Sequence, residues 1–327
     1  MNNRVTNESM RHYVEDHPKE VRAKTFEDEP GLVHISYKRH TFYRGLWNDH
    51  TRQCRGTVVR EGDFQPVLIP FPKIFDYGTP ESHIGRDAMV SATRKVNGFM
   101  IGVAQHPFRK DQLLLSTTGS LSSPFVSLAS SWIEPHKDKI LEEARKPALN
   151  TDAGFTFIFE VVDQLLDPHI VKEESGLYLI GRRTNIWGSM FNAHPIVLDM
   201  IADRMGVMRP ESHTCMRQDD VHEMNRTTKS EGFIVEFPGV AYKLKSPYYR
   251  AIRLLGRMSD KNLDMLINNK NGFIEFSRRF ISGNTPEFNR LLNYAIDQLS
   301  GDMLEKFVQC DNIGRIALVR DILDQRG

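Results

Sequence analysis

The sequence predicts an α+β protein, with a mixed domain of helices and antiparallel sheets over residues 1–246 and a small all-helical domain over residues 247–327. Three observations indicate this organisation. Runs of β-favouring residues, separated by Pro, Gly and Asn-Gly, fill most of residues 31–120 and return between residues 155 and 245. The strand-like texture ends at Pro247. A hydrophobic content of 40% over 327 residues is enough to bury a sizeable core.

The elements of the larger domain follow in order along the chain. Residues 5–25 are polar and predict a solvated helix. The strand-like runs after it are LVHISY, GTVVR, PVLIPF, DAMVSATRKV, GFMIGVAQ and QLLLSTT. Residues 121–148 predict a helical segment, and strands return at FTFIFEVVD, LYLIGRR and GFIVEFPGVAYKLK.

The C-terminal domain is predicted from helix starts and from one helical face. Ser259 and Thr285 are typical of helix N-caps, and Pro286 occupies the first helical position after the second of them. Residues 311–325 also predict a helix. Apolar residues that share a helical face are Phe288, Leu291, Leu292, Ala295 and Leu299.

Charge and cysteine content limit the class of protein. Lysine and arginine number 43 against 42 acidic residues, so any attraction to nucleic acid must come from a local patch. Cys54, Cys215 and Cys310 are scattered without a CxxC pair, which fits a reducing compartment and argues against a disulfide framework or structural zinc. The polar N-terminal segment lacks the apolar core of a signal peptide, and no run approaches the length of a membrane span. We therefore expect a cytoplasmic protein without a membrane partner.

One stretch, residues 36–60, combines basic and aromatic residues. Basic side chains attract phosphates and aromatic rings stack on bases, so the stretch predicts a contact with single-stranded nucleic acid. The alternative is a solvated face with a few core aromatic residues. The cations are Lys38, Arg39, Arg44, Arg52, Arg55 and Arg60 against Asp49 alone, and the aromatic residues are Tyr37, Phe42, Tyr43 and Trp47.

A single carboxylate interrupts the apolar strand FTFIFEVV. Strict alternation puts Phe155, Phe157, Phe159 and Val161 on one face, which we expect to pack in the core. Glu160 lies on the opposite face, where it can point into a cleft. The alternative is a carboxylate on the solvent side of a half-buried strand.

The segment GFIVEFPGVAYKLK predicts a hairpin that turns at Pro238-Gly239. A two-residue turn there pairs Lys243 with Ile234 and Lys245 with Gly232. The two ammonium groups then share a face, an arrangement suited to a polyphosphate or, alternatively, to a solvated strand. Strand alternation places Glu231 on the opposite face from the two lysines. It therefore either precedes the regular strand or is turned towards them by a β-bulge.

Lys95, in the segment Arg-Lys-Val-Asn-Gly, is a candidate nucleophile. A lysine amine has an ordinary pKa of about 10.4 and must lose its proton to attack. Neighbouring cations such as Arg55, Lys243 and Lys245, with a divalent metal, would favour the neutral amine. The alternative is a surface lysine before an Asn-Gly turn. The guanidinium of Arg55 suits a ribose oxygen or a phosphate.

Taken together, these segments resemble the covalent nucleotidyltransferase superfamily of polynucleotide ligases and capping enzymes. They most resemble the phage-type ATP-dependent RNA ligases of the RNA ligase 1 group. The resemblance covers roughly residues 35–250 and depends on Cys54-Arg55-Gly56, Lys73-Ile74-Phe75, Lys95-Val96-Asn97-Gly98, Phe157-Ile158-Phe159-Glu160, Leu177 to Arg183, Glu231-Gly232-Phe233-Ile234, and Lys243-Leu244-Lys245 with Tyr248-Tyr249.

The resemblance implies a nucleotidyltransferase (ATP-grasp-like ligase) fold, with ATP and Mg²⁺ or Mn²⁺ as cofactors. It implies Lys95 as the nucleophile, assisted by Lys243 and Lys245, and Glu160 and Glu231 as metal ligands. The nucleotide-binding residues that it implies are Tyr37, Arg55, Lys73, Phe75, Gly98, Glu160, Glu231, Gly232, Ile234, Lys243 and Lys245.

The implied activity is the joining of 5′-phosphate and 3′-hydroxyl RNA ends through lysyl-AMP and RNA-adenylate, in RNA repair. The implied partners are RNA ends, either single-stranded or like a cleaved tRNA, and a phage gene expressed in a host cell is one origin. Three alternatives stay open: a DNA-end ligase, a capping-type nucleotidyltransferase and a noncatalytic protein that binds nucleic-acid ends. Asn97 and Thr118 favour the last, since the family usually has Asp and Lys there. The oligomeric state is left open.

Overall fold

The computed structural model describes residues 5–148, 151, 153–189, 192–280 and 285–326, with the side chains of 279 and 280 left out. The chain divides into two compact units. The first comprises Met1–Ile74, Gly98–Val162 and Ser175–Pro210, and the second comprises Phe75–Asn97, Asp163–Glu174 and Glu211–Gly327. The predicted α+β class is confirmed, while the division into functional domains at residue 246 stays a prediction.

Strands and helices alternate irregularly along the chain. The strands are β1 (Val21–Thr25), β2 (Leu32–Tyr37), β3 (Arg55–Arg60), β4 (Pro66–Leu68), β5 (Phe75–Asp76), β6 (Met89–Arg94), β7 (Phe99–Gln105), β8 (Leu113–Ser116), β9 (Phe155–Val162), β10 (Gly176–Thr184), β11 (Ser212–Arg217), β12 (Gly232–Phe237) and β13 (Val240–Lys245). The helices are α1 (Asn7–Asp16), α2 (Arg39–Arg44), α3 (Asp49–Gln53), α4 (Pro124–Ile133), α5 (Lys137–Ala144), α6 (Pro195–Met205), α7 (Gln218–Thr227), α8 (Pro247–Gly256), α9 (Asp260–Asn268), α10 (Lys270–Phe280), α11 (Pro286–Gln298), α12 (Asp302–Gln309) and α13 (Asn312–Asp324).

The first unit contains two antiparallel sheets, with strand orders β1-β2-β3-β4 and β10-β9-β7-β8. Phe157, Phe159 and Val161 of β9 are fully buried in a core that α4, α5 and α6 complete. The predicted core face of this strand is therefore confirmed. Its other face, which carries Ile158 and Glu160, is buried too. A solvated strand face is thus excluded for Glu160.

The second unit is built on a five-stranded sheet with the order β11-β6-β12-β13-β5. All its pairings are antiparallel except β13 with β5. The hairpin of β12 and β13 pairs Gly232 with Lys245 and Ile234 with Lys243, as the turn at Pro238-Gly239 predicts. The local turn chemistry was therefore sufficient to fix the register of the two lysines.

Helices α8 to α13 belong to the second unit and pack around an apolar cluster that includes Phe273, Phe288 and Phe307, all fully buried. Ser259 and Thr285 cap α9 and α11 with their side chains, which accept from Asn262 N and Phe288 N. The predicted helix starts are confirmed, as is the all-helical texture of the described residues after Pro247.

The prediction of one helix over residues 5–25 is wrong. Helix α1 ends at Asp16, before Pro18, and Val21–Thr25 forms the edge strand β1 against β2. A proline lacks an N–H donor and disfavours a helical conformation at the preceding residue, which accounts for the early end. No helix in the described part of the chain is long and apolar enough to cross a membrane.

Candidate active site

Lys95 directly follows β6, which lies between β11 and β12 in the five-stranded sheet. Its backbone N–H donates to Gly232 O at 2.8 Å, which ties it to the start of β12. Its side chain is 21% exposed, and Nζ lies 2.9 Å from Glu231 Oε2. Lys95 is therefore a partly buried lysine held by a carboxylate, and the alternative of a solvated surface lysine is excluded.

Glu231 is buried and lies immediately before β12, which begins at Gly232. Of the two arrangements left open by the sequence, the first is therefore correct. Gly232 has φ +127°, and a Cβ atom there would lie 2.0 Å from Leu244 O. Only glycine fits this backbone, so the Glu-Gly pair is fixed by the close approach of β13.

Asn97 is buried and uses both ends of its side-chain amide. Nδ2 donates to Glu231 Oε2 at 2.7 Å, and Oδ1 accepts from Val171 N at 3.2 Å. The backbone N–H of Asn97 donates to Glu173 Oε1 at 3.3 Å. An ionised aspartate could accept from Val171 but could not donate to Glu231. Asparagine at position 97, where the family usually has aspartate, thus makes a hydrogen bond that an ionised aspartate could not make.

Lys243 and Lys245 lie on β13 and share one carboxylate on β5. Lys245 Nζ is 3.1 Å from Asp76 Oδ2, and Lys243 Nζ is 3.7 Å from Asp76 Oδ1. Burial acts to raise the pKa of Asp76, but the positive charges of Lys243 and Lys245 outweigh it and hold the pKa below its ordinary value. The lysine pair is therefore partly neutralised by a residue that the sequence analysis did not single out.

Lys95, Gly232 and Lys245 form a row at the ends of three adjacent strands of one sheet, β6, β12 and β13. Lys95 hydrogen-bonds to Gly232, and Gly232 pairs with Lys245 on the far side of β12. The remaining predicted residues of this unit lie beside the row. Ile234 is half-buried opposite Lys243, and Phe75 is buried on β5.

Three further ionisable residues of the second unit, Asp167, His169 and Glu173, were missed by the sequence analysis. Glu173 forms an ion pair with Arg94 at 2.6 Å and accepts from the backbone of Asn97. His169 lies 3.0 Å from Asp167, and burial lowers its pKa against the opposing charges of Asp167 and Glu231. With Asp76, these residues lie far in sequence from the motifs they support, so only the fold could reveal them.

The first unit contains a second group of predicted residues. Glu160 Oε1 accepts from the backbone N–H of Gly98 at 3.2 Å. A Cβ atom at Gly98 would lie 2.2 Å from Val161 O, so β9 approaches too closely for any side chain there. Arg55 Nη1 lies 3.6 Å from the sulfur of Met100, which pairs with Glu160 across β7 and β9. Arg55, Gly98 and Glu160 are therefore brought together.

Tyr37 and Lys73 meet at a common aromatic neighbour in the same unit. The ring centroids of Tyr37 and Trp47 are 5.0 Å apart, and Lys73 Nζ lies 5.2 Å from the Trp47 ring and 4.9 Å from that of Phe42. The backbone N–H of Tyr37 donates to the carbonyl that precedes Arg55. These positions are compatible with nucleotide contacts, which stay predictions.

The described residues contain no group of three or more His, Cys, Asp or Glu side chains that could hold a metal ion by themselves. Glu160 and Glu231, the predicted metal ligands, belong to different units and each has the protein partners given above. A hard cation such as Mg²⁺ commonly binds one or two carboxylates and completes its shell with water and phosphate oxygens. Each carboxylate by itself, within its own unit, is an oxygen donor that fits that mode, and the metal assignment stays a prediction.

Comparison with known proteins agrees with the sequence resemblance. A family model described as RNA ligase matches residues 53–249, more than half of the chain. An archaeal ATP-dependent RNA ligase structure has a TM-score of 0.53 at 17% identity and covers 91% of this chain and 77% of its own. A candidate ATP-dependent DNA ligase from Aquifex aeolicus has a TM-score of 0.50 at 15% identity and covers 98% and 79%. No curated protein matches the chain significantly. The chain belongs to the RNA ligase family, which confirms the family recognised in the sequence, the phage-type RNA ligases.

Proposed function

We propose that the protein seals RNA breaks in RNA repair, by joining a 5′-phosphate end to a 3′-hydroxyl end in three nucleotidyl-transfer steps. The observation that carries this proposal is the placement of Lys95, Glu231 and Lys245 at the ends of three adjacent strands of one sheet, β6, β12 and β13. A lysine nucleophile beside a carboxylate and a lysine pair matches the needs of attack on a nucleotide α-phosphate.

In the first step, the neutral Nζ of Lys95 attacks the α-phosphate of ATP. A P–N bond forms, the anhydride bond to the β-phosphate breaks, pyrophosphate leaves and the attacking nitrogen loses one of its two protons to solvent. In the free protein, Glu231 lies 2.9 Å from Lys95 Nζ and stabilises its ammonium form. A metal cation bound to Glu231 would weaken the ion pair between Glu231 and Lys95. Metal binding would then favour the neutral, nucleophilic form of the lysine.

Lys243 and Lys245 would neutralise charge that develops on the α-phosphate and the leaving pyrophosphate. Asp76 keeps the two ammonium groups side by side until a polyphosphate replaces it. Glu160 of the first unit and Glu231 of the second are the proposed carboxylate ligands for Mg²⁺ or Mn²⁺, which would neutralise further phosphate charge when bound. The proposed nucleotide contacts are Tyr37, Arg55, Lys73, Phe75, Gly98, Glu160, Glu231, Gly232, Ile234, Lys243 and Lys245.

The later steps transfer the nucleotide and then displace it. The 5′-phosphate of RNA attacks the Lys95-bound AMP, forming a new anhydride and freeing the lysine. The 3′-hydroxyl of the second end then attacks that 5′-phosphate, and AMP leaves as the phosphodiester forms. The name of the archaeal structures, ATP-dependent RNA ligase, supports ATP as the energy source and RNA ends as substrates. We place the activity in the cytoplasm, with single-stranded or cleaved tRNA-like ends as the substrates.

The test is the joining of a labelled, 5′-phosphorylated single-stranded RNA by the wild type and by Lys95→Ala. We expect the wild type to join it with ATP and not with GTP. Lys95→Ala should fail with ATP but still join RNA that already carries a 5′-adenylate, since that substrate bypasses Lys95. Lys229→Ala is the matched control, because Lys229 also pairs with a carboxylate at 3.3 Å in the same unit.

Two outcomes would reject the proposal. Joining by Lys95→Ala with ATP would remove the lysine from the chemistry. Sealing of nicked DNA in preference to RNA would favour a DNA-end ligase, the activity for which the Aquifex aeolicus protein of the same fold is named.

A further inference from the structure

Helix α2 and the turn that follows it expose a cluster of aromatic rings on the first unit. Phe42 is 51% exposed and Tyr43 is 78% exposed. Their ring centroids are 5.6 Å apart, and that of Phe42 lies 6.4 Å from that of Trp47. Single exposed apolar residues are common on protein surfaces, but neighbouring exposed rings in one place indicate a binding surface.

The backbone beneath these rings is held firmly. Gly45 ends α2 in the left-handed region at φ +65°, and its N–H donates to Thr41 O. Leu46 N–H donates to the same carbonyl. Asn48 then starts α3 with a reciprocal capping box that involves Thr51. The rings are therefore presented to solvent by two capped helix ends, so a ligand that stacks on them meets preorganised partners.

Positive charge surrounds the same rings. Lys73 Nζ lies over both Phe42 and Trp47. Lys38, Arg39 and Arg44 are exposed, and no acidic residue occurs between residues 38 and 48. Among the described residues, neither arginine has an ion-pair partner. Cations that are not neutralised by carboxylates remain available for phosphates.

We propose that α2 and the turn through Trp47, with Lys73, form a docking surface for single-stranded RNA. Bases stack on Tyr43 and Phe42, while Arg39 and Arg44 contact phosphates. Base stacking requires free base faces, which a single strand offers and a duplex hides. This inference rests on the proposed function, and it adds where the RNA strand lies before its end reaches the nucleotide.

The cluster of rings adjoins the predicted nucleotide contacts at one end, which indicates the direction in which the RNA strand runs. Trp47 contacts both Tyr37 and Lys73, and these two residues are proposed to contact ATP. Phe42 contacts Trp47, and Tyr43 lies beyond Phe42. A strand that stacks along these rings runs away from the proposed nucleotide contacts within the first unit. Tyr43 is then the outermost stacking position and has no part in the nucleotide chemistry.

The experiment measures binding of a fluorescently labelled, 5′-phosphorylated single-stranded RNA to the full chain by anisotropy. Tyr43→Ala should weaken binding roughly tenfold, the loss of about one stacked base. Tyr43→Trp should retain the affinity, because it keeps an aromatic face. Phe125→Ala is the matched control, since Phe125 is 47% exposed on α4 of the same unit and should leave RNA binding unchanged. Arg44→Ala should lower the salt dependence by about one phosphate contact.

A duplex of the same sequence separates stacking from simple charge attraction, since Tyr43→Ala should not change its affinity. Measuring the uptake of AMP from ATP by intact mass distinguishes the docking surface from the ligase mechanism, since Tyr43→Ala should take up AMP like the wild type. Wild-type affinity of Tyr43→Ala for the single strand, or loss of its AMP uptake, would overturn the docking surface. A wild-type protein that takes up no AMP yet loses RNA affinity on Tyr43→Ala would reject the ligase mechanism and keep the surface.

Discussion

Replacement of Asn97 by aspartate tests how Glu231 is held in the free protein. The amide Nδ2 donates to Glu231 Oε2 at 2.7 Å, and Lys95 Nζ reaches the same oxygen at 2.9 Å. In Asn97→Asp, a second carboxylate faces Glu231 across this gap. The hydrogen bond from Val171 N to the side-chain oxygen can persist, so the change is confined to the side of the residue that faces Glu231.

The magnitude follows from three contributions. Two carboxylates about 4 Å apart repel by about 4 kcal/mol at an effective dielectric constant of 20. In the wild type, Lys95 Nζ and Asn97 Nδ2 both bond to Glu231 Oε2, so these two nitrogens lie less than about 6 Å apart. The charge of Lys95 therefore also attracts the introduced carboxylate and offsets most of that repulsion. What remains is the loss of the hydrogen bond from the Asn97 amide to the charged Glu231, which costs about 2 kcal/mol. For a unit of this size, this loss lowers the melting temperature by about 4–8 °C.

The penalty should depend on pH. The protonated form of the introduced carboxyl can donate to Glu231 Oε2 and the ionised form cannot, so its pKa in the folded state lies above its unfolded value of about 3.9. A raised pKa means that stability is present at low pH and is lost as pH rises through the folded value. The difference in melting temperature from wild type should therefore be larger at pH 8 than at pH 5.

The assay is thermal unfolding in EDTA, so that no divalent cation can screen the pair. Asn97→Ala is the control, because it loses both hydrogen bonds and adds no charge, so its effect should change little between pH 5 and pH 8. An Asn97→Asp protein as stable as wild type at pH 8, or one with the pH-independent deficit of the alanine variant, would refute the reasoning.

Three other outcomes follow from the structure. Gly232→Ala should cost about 3 kcal/mol or more, seen as a lower melting temperature, because its Cβ would meet Leu244 O at 2.0 Å. Burial lowers the pKa of His34 to about 4, so NMR titration should find that ring neutral well below pH 6.5. Stability should fall by about 3 kcal/mol as pH drops from 6.5 towards 4, since the unfolded chain binds the proton first. Asp76→Asn should lower the KM for ATP several-fold in AMP uptake, because Lys245 then lacks its charged partner.

Each of these predictions has its own control or contradicting result. Gly239→Ala shares a positive φ of +80° but meets no neighbouring atom, so it should cost less than Gly232→Ala, and equal costs would contradict the steric reason. A His34 ring that titrates near pH 6.5 would show that it is not buried as described. Asp87→Asn removes an exposed carboxylate that pairs with Arg217 and should leave the KM unchanged. An unchanged or raised KM in Asp76→Asn would mean that Asp76 does not compete with ATP.

Local patterns predicted the parts of the fold that local forces determine. The alternation in β9 gave its core face, and the Pro238-Gly239 turn gave the hairpin register down to the pairing of Lys245 with Gly232. The same is true of the cap at Thr285, since a capping side chain acts on the N–H groups of the next turn. Two-residue turns and caps need no information from distant parts of the chain.

The rest of the site depends on pairings between distant segments. Asp76 reaches Lys245 only because the two-residue strand β5 adds in parallel to β13, a contact without a local signal. Glu173 and the backbone of Val171 reach Asn97 through a segment with no regular structure. The sequence identified Asn97 as a departure from its family, and only the fold revealed that its amide donates to Glu231.

The central claim is that Lys95 bonds covalently to AMP, and intact-mass measurement after incubation with ATP and Mg²⁺ tests it most directly. The wild type should gain the mass of one AMP, and peptide mapping should locate it on Lys95. Lys95→Ala should stay unmodified, while Lys229→Ala should gain AMP like the wild type. An unmodified wild type, or a Lys95→Ala protein that still gains AMP, would contradict the account.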